Sequence, residues 1–358
     1  MVLNSTFSSS RPILEIDLNN LVYNYKLAQQ LASYSKVSCV VKANAYGLGA
    51  VQVSKALYQA GCRDFYVAYL EEAMQIAPNL DQSNIYILSS NTTDELSESV
   101  KLGFIPVLNT TDAVSRYKKL GDHLSCVVNF DTGMTRAGLN MSDADMLDVV
   151  GLDVRYIVSH LACADEPDHP LNAEQLSYVK RLQAQFQNIP ISFANSSGIF
   201  LGKDYLFNQV RPGSMLYGIN PTPHTINPMK HVATIKAKVL QIRTLDKART
   251  VSYGAKYLAA DGAKIATIGC GYADGYHRFA SFNSNCYFQG IELPIVGTIT
   301  MDMMMVDVSK LSDDLLAKLD YVELLNHHFT VDDLAKKAKT IGYEVLTSLG
   351  NRFNRIYK

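Results

Sequence analysis

One lysine in the chain lies where a nucleophilic amine is expected. Lys42 directly follows the apolar run CVV, within the segment VVKANAYGLG at residues 40–49. At the end of a buried strand a lysine is partly desolvated, which disfavours the ammonium form and favours a neutral, nucleophilic amine. A lysine at a strand end is more often a solvated edge residue. Lys42 is therefore a candidate Schiff-base lysine, and Tyr46 and the glycines after it are candidates to approach a phosphate.

Further polar side chains follow other apolar runs along the first two thirds of the chain. They are Asn129, Asp131 and Arg136 in VVNFDTGMTRAG, His160 in IVSHLACAD, Asn195 and Ser196 in FANSSG, and Arg211, Gly213 and Ser214 in VRPGSMLYG. Each has an ordinary explanation, since His160 could be a core histidine and Arg211 an ion-pair partner. Because so many successive strand ends carry such residues, the set favours one functional site.

The last third of the chain offers a second group of candidates. The segments VSYGAKY, GCGYADGYHR and VGTITMD contain Tyr253, Tyr272, Arg278, Met301 and Asp302. A tyrosine can act as a general base if a neighbouring cation lowers its pKa. With 21 tyrosines in the chain, simple packing is the alternative. The glycines that flank these tyrosines argue against packing, because core aromatic residues seldom need them.

The pattern of elements predicts how these residues are positioned. Eight short apolar runs alternate with helix-like segments and resemble parallel strands that are covered on both faces. We predict a (β/α)8 barrel over residues 12–230, with a doubly wound open sheet as the alternative. After about Pro228 the pattern alternates, which predicts a mostly-β domain over residues 231–358, together with residues 1–11. Two segments near the end, SDDLLAKL and TVDDLAKKAKTIGYEVLTSL, are predicted helices.

Charge and cysteine usage exclude several classes of protein. The net charge is −1, from 33 basic and 34 acidic residues, so no nucleic-acid or anionic-membrane partner is expected. No apolar run is long enough for a membrane helix, and the N-terminus does not resemble a signal peptide, so a cytoplasmic location is expected. The six cysteines form no CxxC pair. Buried thiols are therefore expected, rather than disulfides or a metal site.

Taken together, these segments resemble the bacterial alanine racemases, a fold-type III family of pyridoxal-phosphate enzymes. The motifs VVKANAYG, DTGM-R-G, SH-A-AD, ANS-G, VRPG--LYG, VSYGA, GYADGY-R and MDM--VD occur in the family's order, and the resemblance extends from about Ile13 to Tyr357. It implies a homodimeric isomerase that interconverts L- and D-alanine by a two-base mechanism and supplies D-alanine for peptidoglycan.

The resemblance also implies a role for each candidate residue. Lys42 would bind pyridoxal 5'-phosphate covalently, through an aldimine, and act as one proton-transfer base; Tyr253, from the other subunit, would be the second. Cofactor binding would involve Tyr46, Arg136, His160, Asn195, Ser196, Arg211, Gly213 and Ser214. Arg211 would face the pyridine nitrogen, and His160 would lie between Arg211 and Tyr253. Substrate binding and the entrance would involve Arg136, Met301, Tyr272 and Arg278.

A few positions depart from the family pattern. Asn129 occupies a place where many members have a carbamylated lysine, so Arg136 would need another anion, such as a chloride near both residues. Thr298 replaces an arginine common at the entrance, Asn351 stands where some members have tyrosine, and Leu48 replaces a histidine. The changes at Thr298 and Asn351 could widen the entrance.

Three other functions are consistent with parts of this pattern. A broad-specificity racemase acting on serine or lysine fits Asn129 and the wider entrance. A non-catalytic pyridoxal-phosphate carrier would have the lysine-bearing strand but would lack the β domain and hence Tyr253. A fold-type III decarboxylase would be expected to place an acidic residue, and not Arg211, at the ring nitrogen.

Overall fold

The computed structural model describes residues 10–89 and 92–358 and divides into two units. One unit is Asn19–Lys230, and the other combines the chain up to Leu18 with His231–Lys358. Strand β1 (Ile13–Ile16) belongs to the second unit, because its backbone pairs with strands near residues 233–236 and 354–357. The barrel therefore begins later than residue 12, the start expected from the sequence. Residues 1–9 of the predicted N-terminal addition lie outside the described residues.

The Asn19–Lys230 unit contains parallel strands only, within the described ranges. They are β2 (Lys36–Val37), β3 (Cys39–Val40), β4 (Asp64–Val67), β5 (Asn84–Ile87), β6 (Ile105–Leu108), β7 (Leu124–Asn129), β8 (Leu152–Val158), β9 (Ile191–Ser192) and β10 (Gln209–Val210). The order is β2-β10-β9-β8-β7-β6-β5-β4-β3. Since β2 and β3 are two halves of one strand, and Ser38 between them donates its N–H to Val210, eight strand positions close the barrel. The predicted eight-stranded barrel is confirmed.

Helices connect most of these strands. They are α1 (Leu18–Leu31), the short α2 (Lys42–Tyr46), α3 (Ala50–Gln59), α4 (Leu70–Ile76), α5 (Thr93–Leu102), α6 (Thr111–Lys118) and α7 (Pro170–Gln185). Thr92 and Thr110 accept backbone N–H groups at the starts of α5 and α6, as N-cap residues do. After β7, β9 and β10 the connections contain short 3₁₀ helices, so the strand–helix alternation is less regular than the sequence predicted.

The barrel is filled by aromatic and polar side chains at its amino-terminal end. Tyr66 and Tyr86 stack with their ring centroids 4.5 Å apart. The buried Asp64 carboxylate accepts a hydrogen bond from the Tyr86 hydroxyl at 2.9 Å and lies 2.5 Å from the Lys36 ammonium group. A buried carboxylate is tolerated only when such partners replace its hydration. This end of the barrel is therefore structural, which leaves the carboxyl ends of the strands for chemistry.

The second unit is mostly antiparallel β structure, as predicted. Its further strands are β11 (Ala233–Thr244), β12 (Arg249–Val251), β13 (Tyr257–Ala259), β14 (Lys264–Ile268), β15 (Asn285–Phe288), β16 (Ile291–Val296), β17 (Met304–Asp307), β18 (Tyr321–Leu325) and β19 (Asn354–Tyr357). Eight strands form one sheet in the order β14-β17-β16-β15-β18-β11-β1-β19, and β14 also pairs with the long β11. Strands β12 and β13 form a separate hairpin that leads to and from Tyr253.

The helices of this unit correct one prediction. They are α8 (Asp313–Leu316), α9 (Val331–Ala338) and α10 (Gly342–Thr347), so the segment predicted as one helix forms two. Lys339 adopts a left-handed conformation, with φ of 56°, directly after α9. A left-handed residue ends a helix because its N–H bonds back to an earlier carbonyl. The sequence contains no glycine at that point to signal the break.

Two simpler predictions concern cysteines and membranes. All six cysteines are free; Cys163 is partly exposed and the other five are buried. In the described ranges, none of the helices has the length and apolar character that crossing a bilayer requires.

Candidate active site

Lys42 immediately follows the first barrel strand and begins an unusual turn. Residues Ala43 to Tyr46 all have φ between 52° and 54°, a left-handed conformation that costs roughly 1 kcal/mol or more per non-glycine residue. Local hydrogen bonds hold this turn, including one from the Ala50 N–H to Asn44 Oδ1 at 2.8 Å. The turn reverses the chain directly after the strand. As a result, Lys42 and Tyr46 both belong to the carboxyl-terminal mouth of the barrel.

Glu72 in the first turn of α4 links this segment to the next strand connection. Its Oε1 accepts the Ala43 N–H at 2.7 Å, and its Oε2 accepts the N–H groups of Ala68 at 2.7 Å and Tyr69 at 3.4 Å. A carboxylate that accepts several backbone N–H groups forms strong, charge-assisted hydrogen bonds. Glu72 thus fixes the backbone beside Lys42. Sequence reasoning missed this residue, although a glutamate three residues after a helix N-cap, here Tyr69, is a recognisable signal for the start of a helix.

The surroundings of Lys42 favour its neutral form. Burial lowers the pKa of the Lys42 amine, and the guanidinium groups of Arg136 and Arg211 lower it further. The Glu72 carboxylate acts in the opposite direction, and more weakly than burial and Arg136. Because the pKa is lowered, Lys42 loses its proton at lower pH than an ordinary lysine and is a better nucleophile near neutral pH.

Arg211 follows β10 and is buried, with 7% of its surface exposed. Its Nη1 donates to Ser192 Oγ at 2.5 Å, and its Nη2 donates to the Ser159 carbonyl oxygen at 2.6 Å. No carboxylate pairs with Arg211 among residues 10–89 and 92–358. Neutral oxygen atoms satisfy its hydrogen bonds without neutralising its charge, so Arg211 is a fixed cation inside the barrel mouth.

His160, after β8, lies among the same charges. Burial and three nearby cations lower the pKa of His160 to about 3; the cations are those of Arg211, Arg136 and Lys42. The imidazole is therefore neutral at neutral pH, and it can donate or accept a hydrogen bond without carrying charge. Because these charges act on one another, Lys42, Arg136, His160 and Arg211 lie near one another at the barrel mouth.

A small polar cradle lies beside Tyr46. Ser196 Oγ accepts the N–H groups of Gly213 at 3.0 Å and Met215 at 3.3 Å. A Cβ atom on Gly213 would lie 2.5 Å from the Tyr46 hydroxyl oxygen, so only glycine allows this approach. Ser214 Oγ is buried and has no hydrogen-bond partner in the part of the chain that the structure describes. Ser196 Oγ, which accepts these two N–H groups, still has its own proton to donate, so the Ser196 and Ser214 hydroxyls suit a phosphate group.

Asn195 is adjacent to this cradle but points elsewhere. Its Oδ1 accepts the Gly198 N–H at 2.8 Å, and its Nδ2 donates to the Leu161 carbonyl oxygen at 3.4 Å. The side chain therefore stabilises the turn that carries Ser196. In these contacts Asn195 shapes the cradle and does not line it.

Arg136 lies on a loop after β7 that is fastened on both sides of the residue. Its own N–H donates to Asp131 Oδ2 at 2.8 Å, and the next carbonyl, Ala137, accepts from Asn129 Nδ2 at 3.0 Å. Asn129 Nδ2 also donates to Asn109 Oδ1 at 2.8 Å. Both amide hydrogens of Asn129 are thus used structurally, while the Arg136 guanidinium has no hydrogen bond within the described residues. Asn109 was not identified from the sequence.

In the β unit, Tyr253 lies at an exposed turn after β12, with 74% of its surface exposed. Ser252, Gly254 and Ala255 around it all have positive φ. The Thr298 hydroxyl donates to the Tyr253 carbonyl oxygen at 3.0 Å. Thr298 is 5% exposed, so within this unit it is a buried support of the Tyr253 turn. The sequence had suggested an entrance position for Thr298.

The other β-unit candidates form a second cluster. The Tyr272 N–H donates to the Thr300 carbonyl oxygen at 3.1 Å, and the Ala273 N–H donates to Met301 at 2.9 Å. Tyr272 and Met301 are both partly exposed, at 42% and 54%. Arg278 is exposed at the start of a 3₁₀ helix, and Asp302 forms an ion pair with Arg352 at 2.8 Å. The structure thus holds Tyr272 and Met301 side by side.

Comparison with known proteins identifies the family. The profile for the alanine racemase N-terminal domain matches residues 16–221, and that for the alanine racemase C-terminal domain matches residues 232–357. The alanine racemase of Brucella abortus is 40% identical over 368 residues, covering 96% of this chain and 93% of the relative. The catabolic alanine racemase of Agrobacterium fabrum is 38% identical over 354 residues, covering 96% and 91%.

A solved structure agrees with both relatives. The crystal structure of alanine racemase from Bartonella henselae, which has covalently bound pyridoxal phosphate, matches with a TM-score of 0.91 and 38% identity, covering 97% of this chain and 99% of that chain. The match thus includes both units and nearly the full length of each protein. The present chain belongs to the alanine racemase family.

Proposed function

We propose that this chain interconverts L- and D-alanine, with pyridoxal 5'-phosphate bound covalently to Lys42. The observation that carries the proposal is the environment of Lys42, whose pKa is lowered by partial burial and by the charges of Arg136 and Arg211, which favours a nucleophilic amine. A non-catalytic carrier would need the same lysine but not the β unit. The full-length match to two-domain racemases favours catalysis.

The residues at the barrel mouth fit this cofactor. The unpartnered Ser214 hydroxyl, the close approach at Gly213 and the Ser196 and Tyr46 hydroxyls form a site for the phosphate. Asn195 would maintain the turn that carries Ser196. When bound, the cofactor supplies the electron sink that acidifies the Cα–H bond of an attached amino acid. The protein supplies position, charge and proton transfer.

Arg211 would face the ring nitrogen of the cofactor. A guanidinium stays protonated at all working pH values, so its charge disfavours protonation of the ring nitrogen. An acidic residue in this position, which a decarboxylase would be expected to use, is replaced here by a buried cation. His160, neutral beside Arg211, would transmit a hydrogen bond from this region toward the second base.

Proton transfer would use two bases on opposite faces of the substrate. Racemisation removes a proton from one face of Cα and returns one to the other, which a single base does poorly. Lys42 would serve one face, and Tyr253 of the partner subunit the other. Arg136 would approach the cofactor's phenolic oxygen and the substrate, Met301 would help to hold the substrate carboxylate, and Tyr272 and Arg278 would line the entrance.

A homodimer with shared sites follows from this assignment. We also propose that the D-alanine supplies peptidoglycan synthesis in the cytoplasm. A catabolic role is the second candidate, because the Agrobacterium fabrum relative carries that description. A site accepting serine or lysine remains the alternative for substrate range.

Exchange of the Cα proton tests the proposed reaction directly. L-alanine, L-serine and L-lysine are incubated separately with the purified holoenzyme in deuterated water, and NMR and chiral chromatography follow the products. We expect rapid exchange and D-alanine formation, with slower turnover of the other two. Comparable turnover of all three would indicate a broad-specificity racemase. Absence of exchange despite cofactor on Lys42 would contradict the proposal and favour a carrier.

Co-expression of two inactive variants tests the shared site. Lys42→Ala and Tyr253→Ala should each lose nearly all activity, since each removes one base. In mixed dimers one of the two sites receives both native residues, so random assembly should restore about a quarter of the wild-type activity. Each variant co-expressed with itself is the control. No recovery in verified mixed dimers would show that both bases come from one subunit.

Glu72→Gln tests the charge balance at Lys42. The Glu72 carboxylate opposes the lowering of the Lys42 pKa, so its removal should lower this pKa further. Cofactor uptake by the cofactor-free enzyme, followed by absorbance, should then reach its midpoint at lower pH, because the neutral amine forms earlier. Glu71→Gln, an exposed neighbour, is the matched control. Equal midpoints for the wild type and Glu72→Gln would refute this role.

Chloride near Asn129 and Arg136 is proposed as the missing anion. The Arg136 guanidinium has no anionic partner within the described residues, and the Asn129 amide hydrogens already bind Asn109 and Ala137. Arg136 would therefore supply the main chloride contact. Replacing chloride with gluconate, which is too large for such a site, should lower kcat/KM several-fold, and bromide should restore it. Identical kinetics in gluconate and chloride would exclude a functional chloride.

A further inference from the structure

The exposed side chain of Tyr253 depends on its backbone for its position within the β unit. With 74% of its surface exposed, it is not fixed by packing in this unit. The turn that carries it contains three residues with positive φ: Ser252 at 64°, Gly254 at 76° and Ala255 at 49°. Such conformations persist only where surrounding contacts over-determine them. The contacts that hold this turn therefore determine where the phenol lies.

The end of β16 provides those contacts. The buried Thr298 hydroxyl donates to the Tyr253 carbonyl oxygen at 3.0 Å, and Ser252 Oγ donates in return to the Thr298 carbonyl oxygen at 2.5 Å. The two segments also lie very close together, since a Cβ atom on Gly297 would be 2.7 Å from the Val251 carbonyl oxygen. The pair of reciprocal hydrogen bonds and the close approach form a clamp on both sides of Ser252.

Residues 297–299 are also connected to the helix that begins at Arg278. The Ile299 N–H donates to Ser281 Oγ at 3.0 Å, and Ser281 Oγ donates to the Arg278 carbonyl oxygen at 2.6 Å. Residues 297–299 thus bond on one side to the Tyr253 turn and on the other to the start of the Arg278 helix. Residues 297–299 therefore set the distance between the Tyr253 turn and the Arg278 helix.

We infer that Thr298 is a positioning residue for Tyr253 and determines how efficiently this tyrosine transfers a proton. The inference rests on the proposed function, in which Tyr253 serves one face of the substrate. The hydroxyl is the essential feature of the Thr298 side chain, because it donates the hydrogen bond to the Tyr253 carbonyl oxygen, whereas the bond from Ser252 goes to the Thr298 backbone. Displacement of a catalytic group by a fraction of an ångström slows proton transfer while leaving ground-state binding largely intact.

Isosteric replacement tests this role. Thr298→Val keeps the volume but removes the hydroxyl donor, so kcat should fall by about tenfold with a nearly constant KM. Thr298→Ser keeps the donor and should retain most of the activity. Thr250→Val alters an exposed threonine of β12 that makes no side-chain hydrogen bond in the described structure, and it should behave like the wild type.

Deuterium isotope effects separate positioning from a general structural defect. Alanine deuterated at Cα is supplied as either enantiomer, and the effect on kcat/KM is measured for each. If Thr298→Val slows only the Tyr253 step, the isotope effect should rise for the enantiomer whose proton Tyr253 removes and fall for the other. Loss of folded enzyme leaves both ratios unchanged, because an isotope effect does not depend on enzyme concentration.

Ser252→Ala removes the other hydrogen bond of the clamp, the one from Ser252 Oγ to the Thr298 carbonyl oxygen. It should also raise the isotope effect for one enantiomer of alanine and lower it for the other. This second variant keeps the test decisive if Thr298→Val folds poorly. Unchanged isotope effects in both variants, in an enzyme that racemises alanine, would overturn the role of Thr298 alone. A wild-type protein that exchanges no Cα proton would instead refute the proposed function.

Discussion

Uncompensated positive charge at the barrel mouth governs the behaviour of the residues around it. Arg211 is buried and bonded only to neutral oxygen atoms among the described residues. Together with burial, the charges of Arg211 and Arg136 lower the pKa of the Lys42 amine and lower that of the His160 imidazole to about 3. The same cations attract anions, and a phosphate and a substrate carboxylate are both anionic. The same positive charges therefore favour a nucleophilic Lys42 amine and favour the binding of anionic ligands.

Both proposed bases are next to backbone conformations that L-residues seldom adopt. Lys42 precedes four consecutive left-handed residues, and Tyr253 lies between Ser252 and Gly254, which have positive φ, as does the following Ala255. In each case polar side chains from a neighbouring connection hold the turn: Glu72 near Lys42, and Thr298 near Tyr253. Strain of this kind is common at functional sites because it fixes a side chain without burying it. The positions of the two bases therefore depend on Glu72 and Thr298.

Sequence patterns predicted much of the barrel, because the end of a buried strand is marked by a polar residue that follows an apolar run. Lys42, His160 and Arg211 each follow an apolar run, so their convergence could be deduced from the parallel topology. The helix-start position of Glu72 could be recognised, but its hydrogen bond to the Ala43 N–H could not. The contacts of Asn109 and Thr298 were equally undetectable, because a backbone carbonyl can accept a hydrogen bond whatever its side chain is. The break at Lys339 was missed for a related reason, since a lysine there has no marked preference for left-handed backbone.

Strand β1 has a consequence for the order in which the protein is made. It pairs with β11 on one side and with β19, which contains residues 354–357, on the other. A ribosome therefore releases β1 more than 200 residues before its first partner, β11, and later still releases its second partner, β19. During that interval residues 19–230, which form a compact unit of their own, can fold. The β unit is completed only when β19 has emerged, so a chain that lacks β19 leaves an early strand with an unpaired edge.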